Sequence, residues 1–206
     1  MKKWIISKCL NYIEKNCNYT KEKLKEIEYG LITIYLTITK SIIILFMATV
    51  FGIFKESIIF MLFFSLIRSL SFGIHATKSS ICWISSIIIF LIVPYISKYL
   101  IINNYLVQLI CLVCVLLIFK YSPADTKKRP IVKINRRKLL KILSTLTALI
   151  YSCIAIYFNN NYITNCIIFS LILENILISP IVYKVFNLPY NNYIEFLKNH
   201  PNFLKS

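Results

Sequence analysis

The sequence is poor in residues that break regular structure and in acidic residues. It has only 3 glycines and 6 prolines among 206 residues, which leaves little room for long irregular loops and favours helices. It has 8 Asp and Glu against 24 Lys and Arg, a net charge of +16, which excludes an acid-rich secreted domain. The apolar content is high instead, at 58% against about 45–50% in an ordinary soluble domain.

The apolar residues form long runs, such as residues 57–67, 84–95 and 106–119. A disordered chain would lack these runs and a soluble nucleic-acid-binding protein would not need them, so we expect no nucleic acid partner. The runs do not alternate with polar residues, which argues against a β-barrel. Apolar runs together with many cations are typical of a polytopic membrane protein whose cations lie in its loops. The predicted fold is therefore all-α, a polytopic helical membrane protein.

Six segments are candidates for spanning helices, because a span needs about 20 mostly apolar residues. They cover residues 31–54, 57–71, 81–100, 105–120, 140–158 and 162–186. The second and fourth are short, so the alternative is four full spans with two short or re-entrant segments. Links of two to four residues join the first pair, the third and fourth, and the last two segments, which predicts antiparallel helical hairpins.

The regions before and after these segments are polar. Residues 1–30 combine apolar positions such as Trp4 and Leu10 with seven lysines, which predicts an amphipathic helix on an anionic lipid surface. They lack a compact apolar core and a small-residue cleavage site, so we expect no cleavable signal peptide. The predicted organisation is a cytoplasmic helix over 1–30, a transmembrane domain over 31–186 and a cytoplasmic tail over 187–206.

The distribution of cations predicts the orientation, since cytoplasmic loops of membrane proteins are enriched in Lys and Arg. If all six segments cross and the N-terminus is cytoplasmic, 21 of the 24 cations lie on the cytoplasmic side. Only Lys55 and Lys98 fall on the other side, and Lys40 lies within a span. We therefore place both termini in the cytoplasm of a multi-pass protein of the cell membrane.

Charges and thiols inside the apolar segments have alternative explanations. Lys40 and Glu174 could pair structurally or snorkel to the interface, or they could contact a substrate. Cys111 and Cys114 have the spacing of a redox pair, but no histidine or βαβ pattern accompanies them. We interpret both, together with Cys153 and Cys166 in other apolar runs, as buried thiols that pack like small apolar residues.

One polar stretch, between the second and third segments, contains the residues for thiol chemistry. His75 is one of two histidines, and Cys82 follows it by seven residues. Imidazole is a suitable base for a cysteine nucleophile near neutral pH. In a straight helix the two would be about 10.5 Å apart along the axis, so a catalytic pair requires a turn, which Gly73 makes plausible. Cys82 would then lie in the first turn of the next helix, where the positive dipole end favours thiolate.

A second stretch, Ser-Pro-Ala-Asp-Thr-Lys-Lys-Arg-Pro over residues 122–130, follows the fourth segment. Attraction to anionic lipid explains its charge but not its pattern. Together the two stretches resemble the accessory gene regulator protein B (AgrB) family, whose pattern is an Arg, a Gly-x-His, and a Cys seven residues after the His. These residues correspond here to Arg68, Gly73, His75 and Cys82, while Phe72 replaces a glycine that many members have.

The resemblance implies a membrane cysteine endopeptidase of bacterial quorum sensing that needs no metal or cofactor. Catalysis falls to His75 and Cys82, with Arg68 and Gly73 supporting the site. The implied substrate is an AgrD-like precursor peptide, whose acidic C-terminal tail is removed before a thiolactone ring closes to give an autoinducing peptide. A homodimer is a further expectation of the resemblance.

The basic face is predicted to attract the acidic tail, although lipid binding and topology control would explain the same charges. The contributing residues are Lys127, Lys128, Arg129, Arg136, Arg137 and Lys138. Two alternatives to the enzyme stay open on the residues alone: a small transporter, and a peptide-export partner without proteolytic activity.

Overall fold

The structure is a computed structural model, and it describes residues 2–17, 19–74, 79–126, 130–158 and 161–199. Helices dominate these ranges, which contain no named strand. The helices are α1 (Lys2–Asn16), α2 (Lys21–Val50), α3 (Phe54–Ser71), α4 (Ser79–Tyr99), α5 (Asn104–Tyr121), α6 (Ile134–Phe158), α7 (Tyr162–Ile178), α8 (Pro180–Val185) and α9 (Asn192–Asn199). The predicted all-α class is confirmed.

The chain divides into two compact units, Met1–Val50 and Phe51–Ser206. In the first unit α1 packs against α2. The helix α2 begins at Lys21, ten residues before the predicted span, so the polar residues 21–30 extend the long apolar helix instead of continuing α1. The Glu and Lys residues of 21–30 are good helix formers, and the single poor one, Gly30, does not interrupt the helix.

In the second unit α7 is the central helix, and it packs against α3, α4, α5 and α6. It is apolar on most sides, as expected for a helix enclosed by others. Small polar side chains connect it to its neighbours. The amide of Asn165 donates to the carbonyls of Ser97 (2.8 Å) and Leu100 (2.7 Å) at the end of α4, and Thr164 donates to Ala155 of α6 (3.0 Å). Such bonds hold helices together where water is excluded.

Within the described residues, four helices are long and apolar enough to cross a membrane: Glu22–Val50, Ser80–Tyr99, Asn104–Tyr121 and Ile134–Phe158. The fourth predicted segment is therefore one of the long helices and not a short one. Charged residues near both ends of α3 set it apart from these four helices. Large apolar side chains such as Leu112, Leu116 and Ile142 are more than half exposed, as expected for surfaces that face lipid.

The sixth predicted segment, 162–186, is not one helix. The helix α7 ends at Ile178, Ser179 is extended, and Pro180 begins the separate short helix α8. Proline lacks the N–H that a continuing helix would need, and it restricts the residue before it to extended conformations. The Ser179 side chain then accepts a bond from the N–H of Ile181 and caps α8.

Candidate active site

The C-terminal end of α3 carries Arg68 and leads into a tight turn at residues 71–74. The Arg68 guanidinium donates from Nη1 to the carbonyl of Phe72 and from Nη2 to the carbonyl of Ile74. Phe72 has φ +64° and Gly73 has φ +98°, so two successive residues have positive φ. The planar fork of one guanidinium thus spans the 71–74 turn and fixes two of its carbonyls.

Gly73 is required in this turn by both conformation and space. A Cβ on residue 73 would lie 2.8 Å from the carbonyl oxygen of Leu177 and 3.1 Å from its carbon. Real Cβ atoms do not approach the backbone this closely, and residues other than glycine rarely adopt a φ of +98°. The prediction that Gly73 permits a bend of the chain agrees with this geometry.

The 71–74 turn is joined to the 122–126 loop, which follows α5. The N–H of Gly73 donates to the carbonyl of Ala124 at 2.7 Å, and the N–H of Ala124 donates to the carbonyl of Ser71 at 2.9 Å. Phe72 and Ala124 therefore form a parallel β-bridge. The two stretches singled out in the sequence, fifty residues apart, meet in this bridge.

The helix α7 contacts the same turn. Its Glu174 is fully buried, and Oε2 lies 3.6 Å from Nη1 of Arg68, an ion pair slightly longer than a hydrogen bond. One turn further along α7, the carbonyl of Leu177 accepts the N–H of Ile74 at 3.1 Å. Glu174 thus has its charge partner in Arg68, a pairing that the sequence did not indicate.

The proposed nucleophile, Cys82, lies in the first turn of α4, as predicted. It is half-buried, and its carbonyl accepts the hydroxyl of Ser86 at 2.7 Å. His75 follows Ile74 directly in the chain but lies outside the described residues, as do Lys127, Lys128 and Arg129. The Cα atoms of Ile74 and Ser79 are at most about 18 Å apart, because only five peptide units join them.

Another cluster secures the 122–126 loop from the C-terminal side. The carboxylate of Asp125, almost fully buried, accepts the N–H groups of Asn192 (3.1 Å) and Tyr193 (2.9 Å) and thereby caps α9. It also lies 3.6 Å from the Arg137 guanidinium, which stacks over the Tyr193 ring at 3.9 Å. Burial raises the pKa of Tyr190, whose hydroxyl donates to the Tyr121 carbonyl.

The basic residues after the fourth segment belong partly to a helix. Because α6 begins at Ile134, Arg136, Arg137 and Lys138 occupy its first two turns instead of a loop. Arg136 and Lys138 are exposed, whereas Arg137 is half-buried against Asp125. The N-terminal end of a helix carries a partial positive charge, so these cations increase the positive potential at that end. The result is a concentrated positive potential beside the 122–126 loop.

The interpretation as buried, packing thiols holds for three of the four cysteines in the apolar runs and is wrong for Cys153. Cys111, Cys114 and Cys166 are buried free thiols, while Cys153 is exposed on α6. Cys111 and Cys114 both belong to the core around α7, and the Asn175 amide donates to the Cys114 carbonyl. This setting is that of small apolar core residues.

The long apolar helices α4, α5 and α6 around the buried helix α7, with a polar site at the C-terminal end of α3, define a polytopic helical membrane protein. The profile of the family described as accessory gene regulator B matches residues 6–178. The chain belongs to the accessory gene regulator B family.

Named relatives agree with this assignment. A putative AgrB-like protein of Clostridium acetobutylicum is 36% identical over 174 residues, covering 84% of this chain and 83% of the relative. The accessory gene regulator protein B of Staphylococcus epidermidis is 30% identical over 180 residues, covering 86% and 91%. A putative AgrB-like protein of Listeria monocytogenes is 28% identical over 176 residues, covering 85% and 86%. No solved structure matches the chain.

Proposed function

We propose that this protein is a membrane cysteine endopeptidase that removes the acidic tail of an AgrD-like precursor peptide and closes a thiolactone ring. The observation that supports the proposal most is the backbone bridge between Phe72 and Ala124. It joins both sequence stretches on which the family resemblance rests, one of which contains His75 and Cys82. A peptidase needs its parts assembled at one place, and the bridge supports this because it brings Phe72, three residues before His75 in the chain, against the 122–126 loop.

In the first step Cys82 attacks the carbonyl carbon of the peptide bond that follows the future ring. His75 takes the thiol proton and delivers it to the leaving amine, so the acidic tail departs as a free peptide. The products are that tail and a thioester between Cys82 and the rest of the precursor. The first turn of α4 supplies backbone N–H groups and a positive dipole end that suit both the thiolate and the developing oxyanion.

In the second step an internal thiol of the precursor attacks the Cys82 thioester. The new thioester closes the ring, and the proton lost by the internal thiol returns to the Cys82 sulfur. Since one thioester replaces another, the exchange is nearly neutral in energy, and attack by water would divert the intermediate. The site must therefore exclude water and hold the internal thiol close.

The cationic side of the molecule suits an acidic tail. Arg136 and Lys138 are exposed at the positive end of α6, and Lys127, Lys128 and Arg129 lie just before it in the sequence. Arg137 is held by Asp125, so we assign its main part to holding the 122–126 loop. With both termini in the cytoplasm, this surface and Cys82 share the cytoplasmic side, where anionic lipids attract the same cations.

The test combines purified protein in anionic liposomes with a synthetic precursor that has an amphipathic N-terminal helix, an internal Cys and an acidic tail. We expect mass spectrometry to find the free tail and a thiolactone. A precursor with Ala in place of the internal Cys should accumulate as a covalent adduct on Cys82, because the second step has no nucleophile.

Cys82→Ala and His75→Ala should each reduce tail release by at least about a hundredfold. Cys153→Ala is the matched control, since it removes another helical cysteine, and it should leave the rate unchanged. Tail release by Cys82→Ala at the rate of the unmodified protein would refute the peptidase. A precursor that crosses the liposome membrane uncleaved would favour the export partner.

A further inference from the structure

The most unusual charged group in the second unit is Glu174. It lies about one turn before the C-terminal end of an apolar helix and is fully buried. An acidic residue in such a place is costly, and a well-packed apolar residue of similar size often serves stability as well or better. A carboxylate at this position is therefore better explained by the residue with which it pairs than by stability.

Glu174 forms an ion pair with Arg68, and Arg68 donates hydrogen bonds to the 71–74 turn. The Arg68 side chain is only 16% exposed, and its Nη1 lies 3.6 Å from the Glu174 carboxylate. The two ends of the same guanidinium donate to the carbonyls of Phe72 and Ile74. Since the guanidinium is rigid and planar, fixing one edge of it fixes the directions of the other donors.

The helix α7 reaches this turn twice. Besides the Glu174 carboxylate, it presents the Leu177 carbonyl to the N–H of Ile74 at 3.1 Å. The close fit of Gly73 against Leu177 leaves no room for the turn to shift toward α7. Both groups of Ile74, its N–H and its carbonyl, are thus set by α7, one directly and one through Arg68.

We propose that Glu174 is a positioning residue of the peptidase. Through Arg68 it sets the backbone of Phe72 and Ile74, and so the point from which the chain continues to His75. Glu174 itself does not touch the substrate. The inference rests on the proposed function, and it assigns to α7 the part of orienting the base.

The test is the variant Glu174→Gln, which keeps the shape of the side chain and removes its charge. We expect kcat for tail release to fall about tenfold or more while KM stays within about twofold, because the precursor still binds but the base is displaced. Glu174→Asp keeps the charge and should recover part of kcat.

Glu56→Gln is the matched control. Glu56 belongs to a second ion pair of α3, with Lys98 at 3.9 Å, far along the helix from the turn. A general loss of rigidity would lower kcat in both variants, whereas positioning predicts a loss in Glu174→Gln alone.

A second measurement follows alkylation of Cys82 by iodoacetamide, with the labelled peptide identified by mass spectrometry. A displaced base should slow labelling at pH 7 in Glu174→Gln, but not at pH 10, where hydroxide in solution replaces the base. A purely structural defect would not produce this pH dependence. If Glu174→Gln does not fold, Glu174→Asp compared with Glu56→Asp decides by the same two measurements.

Equal kcat in the unmodified protein and Glu174→Gln would overturn the inference without affecting the proposed peptidase function. A kcat of Glu174→Asp no higher than that of Glu174→Gln would do the same. The two proposals fail together only if the unmodified protein releases no tail and forms no adduct on Cys82.

Discussion

The two ends of α3 carry the same kinds of parts in different surroundings. At one end Lys98 pairs with Glu56 at 3.9 Å and donates to the Gly52 carbonyl at 2.7 Å. At the other, Arg68 pairs with Glu174 at 3.6 Å and donates to two carbonyls. The side chains of Lys98 and Glu56 are 34% and 11% exposed, whereas those of Arg68 and Glu174 are 16% and 0% exposed.

Each end also has a glycine with positive φ, and their surroundings differ in the same way. At Gly52 a Cβ would meet nothing within 4 Å, while at Gly73 it would meet the Leu177 backbone at 2.8 Å. At the Gly52 end, the partly exposed Lys98 satisfies a carbonyl of the loop. The Gly73 end uses rigid, desolvated groups that define one backbone path, which is what a site that places a catalytic base requires.

The largest expected effect distinguishes the two ion pairs. Glu174→Ala should cost about 3–5 kcal/mol of unfolding free energy, because it leaves the largely buried Arg68 without its counter-charge. Glu56→Ala should cost less than about 1 kcal/mol, since Lys98 is partly exposed and can be solvated. Denaturant unfolding of the detergent-solubilised protein measures both, and equal costs would show that the two ends do not differ in burial of charge.

The two glycines should give the next largest difference. Gly73→Ala should cost about 2–3 kcal/mol, because positive φ and overlap with Leu177 both oppose the methyl group. Gly52→Ala should cost about 1 kcal/mol, for its conformation alone. Tail release should fall with Gly73→Ala and stay unchanged with Gly52→Ala. A Gly73→Ala protein as stable and active as the Gly52→Ala protein would contradict the close fit.

The smallest expected effects compare two helix caps. Asp125→Asn weakens the bonds to Asn192 and Tyr193 and should lower the free energy of local opening of α9 by about 2 kcal/mol. The Asn103 side chain caps α5 by accepting the N–H of Tyr105. Asn103→Ala removes this cap and should lower the free energy of local opening of α5 by about 1 kcal/mol. Hydrogen exchange of residues 192–199 and 104–108 reports each one. Unchanged protection of residues 192–199 in Asp125→Asn would remove Asp125 as the anchor of α9.

The local features of the fold followed from sequence patterns. Apolar runs predicted the helices, and the start of α4 beside Cys82 was predicted from the polar stretch before it. The break at Ser179 and Pro180 had a local signal as well, since proline ends a helix, and the apolar residues on both sides concealed it. The early start of α6 had a weaker signal, because half of residues 134–139 are charged and the stretch carries no apolar run.

In the candidate site, too, local features were predicted from the sequence and contacts between distant segments were not. Sequence alone predicted the family, the thiol chemistry of His75 and Cys82 and the need for a bend at Gly73. Which groups surround that bend depended on helices distant in sequence: Glu174 lies about a hundred residues from Arg68, and Ala124 about fifty from Gly73. A local pattern records what a segment prefers, whereas a buried charge or an open carbonyl is satisfied by whatever the packing of α3 against α7 and the 122–126 loop brings within reach.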